Sequence, residues 1–394
     1  MLTEEQNRIL TQVGRGTPGG ELLRRYWHPV AVAQELTPKE PTKFVRVLGE
    51  DLVLFLDKSG RAGLIADKCP HRGASLLYGR VEERGIACAY HGWLMDCGGN
   101  VIETPAEKHD GLTKRVKTTA YPVQKFLGFY WTYMGPDPAP VLPKYDLFMR
   151  RDGRHTISVY PRLDCNWFTA AENAVDSTHL QLLHQEPPNA KVRPKNTTRG
   201  FIDDIESSDY YMTDYGIMKR RTYKEGTVDE HPLVFPLWLR SRSSMWMRTP
   251  IDDERTNHWV LKFKQNKDGS EYHGEPEVEY LAPFKDPPDA IHPEAKFQNF
   301  PKHGWPLSQD VVMWETQGVI PDRTKERLGT SDRGLLLLRQ AMFENIEKVK
   351  RGEDPLGVIR DPNRIIDTNF ERSLSMAHPR GLVTETVPVE AESV

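Results

Sequence analysis

The chain has 394 residues, 38% of them hydrophobic and 28% charged, with a net charge of −3. That length suits two to three domains at ~150 residues each, and the composition excludes wholesale disorder. The near-neutral balance gives no global reason to bind nucleic acid or an anionic membrane surface. The longest aliphatic run, Leu335 to Leu338, falls far short of the ~20 apolar residues that a membrane helix needs. No basic and apolar leader pattern opens the chain, so a cytoplasmic protein with no membrane partner is expected. Four cysteines do not make a disulfide framework, so clustered ones point to metal or catalytic roles.

In chain order, Thr3 and Gln6 predict a capping box for a helix carrying Ile9, Leu10 and Val13 on one face. Gly14, Gly16, Pro18, Gly19 and Gly20 break it, and a second helical stretch is expected from Glu21 to Trp27. From Thr42 the texture becomes β-rich: strands are predicted at Phe44–Leu48, Leu52–Leu56, Gly63–Ile65, Gly85–Ala89, Ala120–Gln124 and Phe129–Tyr133. Gly135 to Pro140 is the clearest linker. Beyond it, Thr156–Pro161 reads as extended and Trp167–Leu183 as one helix. Strands are then predicted at Tyr210–Tyr215, Gly216–Thr222, Leu237–Arg248 and His258–Phe263. Ser331 is expected to cap a helix with Leu335, Leu338, Met342, Ile346 and Val349 on one face. The residues from Thr384 lack periodicity.

Two groups of residues carry chemistry. Cys69-Pro-His71-Arg-Gly and Cys88-Ala-Tyr-His91-Gly-Trp93 are short Cys/His pairs, with sixteen residues lying between His71 and Cys88. Two thiolates and two imidazoles can bind zinc, or a [2Fe–2S] cluster in which two histidines replace two cysteines on one iron. The Cys-x-His spacing, the glycine after each pair and the β-rich setting favour the cluster. Cys97 and Cys165 read as ordinary buried thiols. The second group is Asn173-x2-Asp176-x2-His179-x4-His184. Two histidines and one carboxylate on one face of Fe(II) leave positions open for dioxygen and substrate. On an ideal helix His179 and His184 would point about 140° apart, so a π-bulge is expected between them. Asp176 is the local candidate for the carboxylate.

At these residues the chain resembles the catalytic α subunits of Rieske non-heme iron oxygenases. Arg25-Tyr-Trp-His-Pro-Val30 and the overall length resemble the phthalate 4,5-dioxygenase-like branch. The resemblance implies an α+β fold: an N-terminal helical segment (1–41) packing on the catalytic domain, an antiparallel-β Rieske domain (42–142), and a catalytic domain (143–394) with an antiparallel sheet flanked by helices. It implies Cys69 and Cys88 on one iron and His71 and His91 on the other. His179, His184 and a carboxylate from a C-terminal helix would hold mononuclear Fe(II). Asp310 in Ser308-Gln-Asp-Val-Val-Met-Trp-Glu315 matches that carboxylate; Glu315 and Asp332 are lesser candidates. Asp176 would instead link His179 to His91 of a neighbouring subunit in a homotrimer or stacked hexamer, with Asn173 beside it.

The function so implied is a terminal oxygenase using O2, and electrons from NADH through a flavin and iron–sulfur reductase, to dihydroxylate an aromatic compound, an aryl carboxylate. The alternative is an O-demethylase or diaryl-ether-cleaving oxygenase on a methoxy- or phenoxy-arene. A carboxylate calls for a cation, and arginine's fork suits it. Arg242, expected on one strand face with Arg240 and Arg248, is the first candidate, and Arg199 the second.

Overall fold

The first helix is capped as its spacing predicts: Thr3 N–H donates to Gln6 Oε1 at 2.9 Å and Gln6 N–H to Thr3 Oγ1 at 3.1 Å, and α1 spans Glu4–Thr11. The computed structural model describes residues 1–184, 205–224, 226–281 and 307–368; Arg199 and the segment from Thr384 lie outside these. The chain forms two compact units. One comprises Gln12–Leu142 with Thr249–Asp253; the other comprises Met1–Thr11, Pro143–Arg248 and Glu254–Val394. Residues 1–41 are thus divided between the units. α1 belongs with the larger one because Asn7 Nδ2 donates to Pro321 O and Asn166 Nδ2 to Thr11 O.

In the smaller unit, α2 is Pro18–Leu23, with Thr17 capping Gly20 N–H and proline in the first turn. The helix therefore starts before the expected Glu21. It also ends sooner, because Trp27–Val32 pairs antiparallel with Phe129–Tyr133 and is buried at every position. Val123–Phe126 completes that three-stranded sheet. Pro122 splits the predicted strand Ala120–Gln124, whose first half closes a different sheet: Thr42–Val47, Glu50–Leu56, Ala62–Ala66, Ala120–Tyr121. A third sheet runs Arg80–Glu82, Gly85–Ala87, Leu94–Met95, Val101–Glu103. Between these sheets, Val53, Phe55, Ile65, Leu76, Ile86, Trp93, Met95 and Val101 form a core that includes Cys69 and Cys88.

In the larger unit an eight-stranded sheet has the spatial order Ile205–Met212, Gly216–Tyr223, Val228–Val234, Trp238–Ser241, Ser244–Pro250, Thr256–Gln265, Gly153–Val159, Glu277–Tyr280. The first five strands pair antiparallel in succession, as do Thr256–Gln265 and Gly153–Val159, while the last two strands are parallel. The predicted strand Leu237–Arg248 is a hairpin: Arg242 takes a left-handed φ of 46° at its tip, where Ser241 pairs with Ser244. The helices here are α3 (Asp146–Met149), α4 (Trp167–Ala174), α5 (Thr178–Leu182), α6 (Leu307–Thr316) and α7 (Arg333–Lys350). Asp332 rather than Ser331 occupies the N-cap position of α7, and its carboxylate accepts from Gly329 N–H.

The predicted helix Trp167–Leu183 breaks between α4 and α5. Val175 leaves helical geometry, and Asp176 Oδ1 accepts from Thr178 N–H at 2.7 Å, restarting the chain as α5. The start of α7 fits against this break: a Cβ on Gly334 would overlap the Val175 carbonyl oxygen. A buried charge network pins α4. Glu172 accepts from Arg323 Nε at 2.9 Å and Nη2 at 2.7 Å, and from Arg339 Nε at 2.7 Å, while Arg339 also pairs with Glu326. Both arginines are almost wholly enclosed. Glu172→Ala should therefore cost about 3–5 kcal/mol in urea unfolding, because it leaves two guanidinium groups short of a counter-charge. Glu5→Ala, which removes the exposed pair with Arg8, should cost under about 1 kcal/mol.

Candidate metal centres

Cys69–Ala74 and Cys88–Trp93 are two loops with one pattern of hydrogen bonds. In the first, Cys69 N–H donates to Ala74 O and Gly73 N–H to Cys69 O; in the second, Cys88 N–H donates to Trp93 O and Gly92 N–H to Cys88 O. Each loop needs a residue four places past the cysteine with a left-handed φ, and Gly73 (77°) and Gly92 (72°) supply it. The loops interlock: the His71 ring stacks on Trp93 of the other loop at 4.5 Å and 5°, and meets the His91 ring edge-on at 4.7 Å. The thiols are buried, at 3% and 4% exposure, whereas His71 is exposed and His91 half-buried. Burial pushes the Cys69 thiol up to about 11, and the neighbouring Cys88 adds to this against backbone N–H donation from His71 and Arg72. A cation beside the sulfurs would be needed to hold both as thiolates.

The second centre joins α4, α5 and α6. His179 Nε2 lies 3.7 Å and His184 Nε2 3.3 Å from Asp310 Oδ1, with the two rings 5.4 Å apart at 82°. Among the described residues this is the one set that brings three donor atoms within 4.8 Å of one another. The expected π-bulge is absent. α5 simply stops at Leu182, and His184 turns inward from the residues after it. Its Nδ1 lies 3.0 Å from Gln309 Oε1, which leaves Nε2 to face Asp310. Burial alone would lower the His184 imidazole, but Asp310 and Gln309 raise it.

Asp176 stands behind His179, its Oδ2 3.2 Å from Nδ1, but no well-aligned hydrogen bond forms. Burial would raise the Asp176 carboxyl; His179, Thr178 N–H and Lys219 hold it low. Asn173 Nδ2 is 3.4 Å from both His179 Nε2 and Asp310 Oδ1. Lys219 donates to Asp176 O at 3.2 Å; burial and Arg221 push its ammonium down to about 7. Glu315 is turned away, accepting from Asp164 N–H at 3.0 Å, and Asp332 caps α7.

Residues 26–126 match the family model of the Rieske [2Fe-2S] domain, and residues 296–369 match that of the LigXa C-terminal domain like family. The 5,5'-dehydrodivanillate O-demethylase oxygenase subunit of a Sphingobium species is 38% identical, over 92% of this chain and 84% of its own. The phthalate 4,5-dioxygenase oxygenase subunit of Pseudomonas putida is 33% identical, over 91% and 89%. The chain belongs to the Rieske-type oxygenase α subunits. Its fold is that of solved members: an NdmA variant of Pseudomonas putida CBB5 with theobromine superposes with a TM-score of 0.62 over 88% of this chain and 99% of the other, at 19% identity.

The oxygenase uses a [2Fe–2S] Rieske cluster and a mononuclear iron, and the side chains fit both groups. A single tetrahedral zinc would draw its four donors onto one point. Cys69, His71, Cys88 and His91 do not converge in that way, while a thiol pair and an imidazole pair suit two irons. Two neutral imidazoles and one carboxylate suit a single iron with open positions. Gln309 and Lys219 escaped the sequence reading. Gln309 is signalled only by its place beside Asp310, and Lys219 only by a charge in an otherwise buried strand pattern. Two outcomes are expected. Asp310→Ala should abolish mononuclear iron in metal analysis and leave the visible cluster spectrum intact. Gln309→Leu should keep the fold and weaken iron retention about tenfold or more, because the imidazole loses the group that orients it.

Proposed function

We propose that this oxygenase is the terminal component that hydroxylates an aromatic carboxylate with O2 and NADH-derived electrons. The observation that carries the reading is the convergence of His179, His184 and Asp310 in a chain that also bears the paired Cys/His loops. When bound, the cluster supplies electrons singly, and the iron supplies the place where dioxygen is reduced. Cys69 and Cys88 hold one cluster iron and His71 and His91 the other; His179, His184 and Asp310 hold the mononuclear iron. The functional domains in this reading are 42–142 and 143–394.

The chain's own part in the reaction is positioning. Gln309 holds the rear nitrogen of the His184 imidazole and Asp176 faces that of His179 at 3.2 Å, while both Nε2 atoms face Asp310. Asn173 lies against that point with an amide that can donate to an oxygen there. The Asp176 side chain keeps 26% of its surface exposed, enough to receive His91 of the partner subunit in a head-to-tail ring of three, single or stacked. The electrons come from a separate flavin and iron–sulfur reductase, which with NADH sets the reaction in the cytoplasm.

Ring dihydroxylation is the first reading of the reaction. O-demethylation is the second, and the 38% identity to an O-demethylase subunit favours it. Single turnover of reduced, iron-loaded protein with O2 and either phthalate or 3-methoxybenzoate separates them. A diol from the first supports dihydroxylation; formaldehyde and 3-hydroxybenzoate from the second support demethylation; return of both unchanged refutes the substrate class. Asp176→Asn should keep both metals and lower product per turnover about tenfold or more. Loss of iron in that variant would instead make Asp176 a ligand.

A further inference from the structure

Two polar side chains in the larger unit are enclosed without the partners that burial demands. Arg248 is 0% exposed and His258 is 1% exposed. Among the described residues, Arg248 Nε and Nη2 and both ring nitrogens of His258 have no hydrogen-bond partner. Among the same residues the guanidinium's hydrogen bond is a long one, Nη1 to Leu237 O at 3.3 Å. Native proteins rarely leave such groups unpaired, and an enclosed guanidinium without a counter-charge is costly.

The two lie on strands that are neighbours in the sheet. Phe263 N–H donates to Ser243 O, and the charge of Arg248 acts on His258. The same sheet face carries Trp246, whose ring is 5.9 Å from His258, and Tyr160, at 5.2 Å. Opposite lies α6: the Arg248 guanidinium sits 5.5 Å from the centre of the Trp314 ring, and Trp314 is one turn from Asp310. The charge of Asp310 also acts on Arg248. Once Asp310 is committed to a metal, that compensation falls. Burial brings Arg248 down only to about 10, so it stays charged at neutral pH, while burial and Arg248 keep His258 neutral.

The expected arginine face is not what the hairpin makes. Leu239 pairs with Trp246 and Arg240 with Met245, so Arg240 and Arg248 point to opposite faces. Arg240 is engaged with Thr368 at 3.2 Å, and Arg242 is exposed at the tip. That leaves Arg248 as the arginine enclosed beside the iron-side helix.

We infer that Arg248 and His258 form the subsite for the substrate's carboxylate, within a wall of Tyr160, Trp246 and Trp314. This rests on the aromatic-acid reading above and deepens it. Two guanidinium nitrogens supply a fork for one carboxylate and the imidazole N–H a further donor; the rings suit an arene. Tyr160 and Trp246 are half-buried.

The test is anaerobic equilibrium binding to the iron-loaded, oxidised protein, followed by tryptophan fluorescence, with 3-methoxybenzoate and its neutral counterpart 3-methoxybenzyl alcohol. Wild type should prefer the acid. Arg248→Met should weaken the acid about tenfold or more and change the alcohol little; Arg248→Lys should recover part of the loss, and His258→Phe should show a smaller one. Cluster spectrum and iron content report on folding in each variant. Equal binding of acid and alcohol by wild type, an unchanged acid affinity in folded Arg248→Met, or transfer of the effect to Arg242→Met would each overturn the assignment. Turnover of a neutral methoxyarene with no preference for the acid would overturn the subsite yet leave the oxygenase reading standing. Absence of turnover with both metals filled would count against that reading instead.

Discussion

Two imidazoles five residues apart cannot face one ion from an unbroken helix, and the larger unit is arranged around this mismatch. The chain resolves it by ending α5 at Leu182, short of His184; the break between α4 and α5 lies upstream of both histidines. α4 is held by the enclosed Glu172 between Arg323 and Arg339, and the backbone swings at Val175–Ser177. α5 then ends before His184, whose ring Gln309 orients through Nδ1. α6 delivers Gln309 and Asp310 as consecutive residues, one to orient an imidazole and one to face its donor nitrogen. An acid, an amide and two rings so meet at one point without a distorted helix.

The smaller unit solves a related problem by duplication. One hydrogen-bonded loop is used twice, with glycine at the same place and a cysteine at the head of each. The cysteines count among the core residues, so the loops are rooted in packing, while their histidines lean outward and lock across the gap through Trp93.

Much of this was readable before any coordinates, because the informative residues sit in short local patterns. Cys-x-His and Cys-x2-His are loop-length spacings, and alternation with glycine turns marked most strands. The misreadings share a cause: local pattern was extrapolated across a break that only three-dimensional partners reveal. Trp27 looked like the end of a helix because its pairing partner, Tyr133, lies over a hundred residues away. Arg240 and Arg248 looked co-facial because a hairpin at Arg242 inverts the alternation. His258, Gln309 and Lys219 carry no local signature, and Arg248 was marked only by its place on a predicted strand face. What sets each apart is being buried, and that depends on elements remote in the chain.

The placement of the sulfurs bears on durability in a protein that handles dioxygen. Thiols are oxidised when they are both ionised and reachable. Cys69 and Cys88 become thiolates on binding metal but lie under the core; Cys165 is fully enclosed. Cys97 is half-buried, yet burial and Asp57 push its thiol up to about 11, which keeps it protonated. No sulfur of the four meets both conditions at once. The outward side of the Cys69 and Cys88 site presents the imidazoles of His71 and His91, which lie off the thiol oxidation ladder, so its exposed edge offers no sulfur to oxidants.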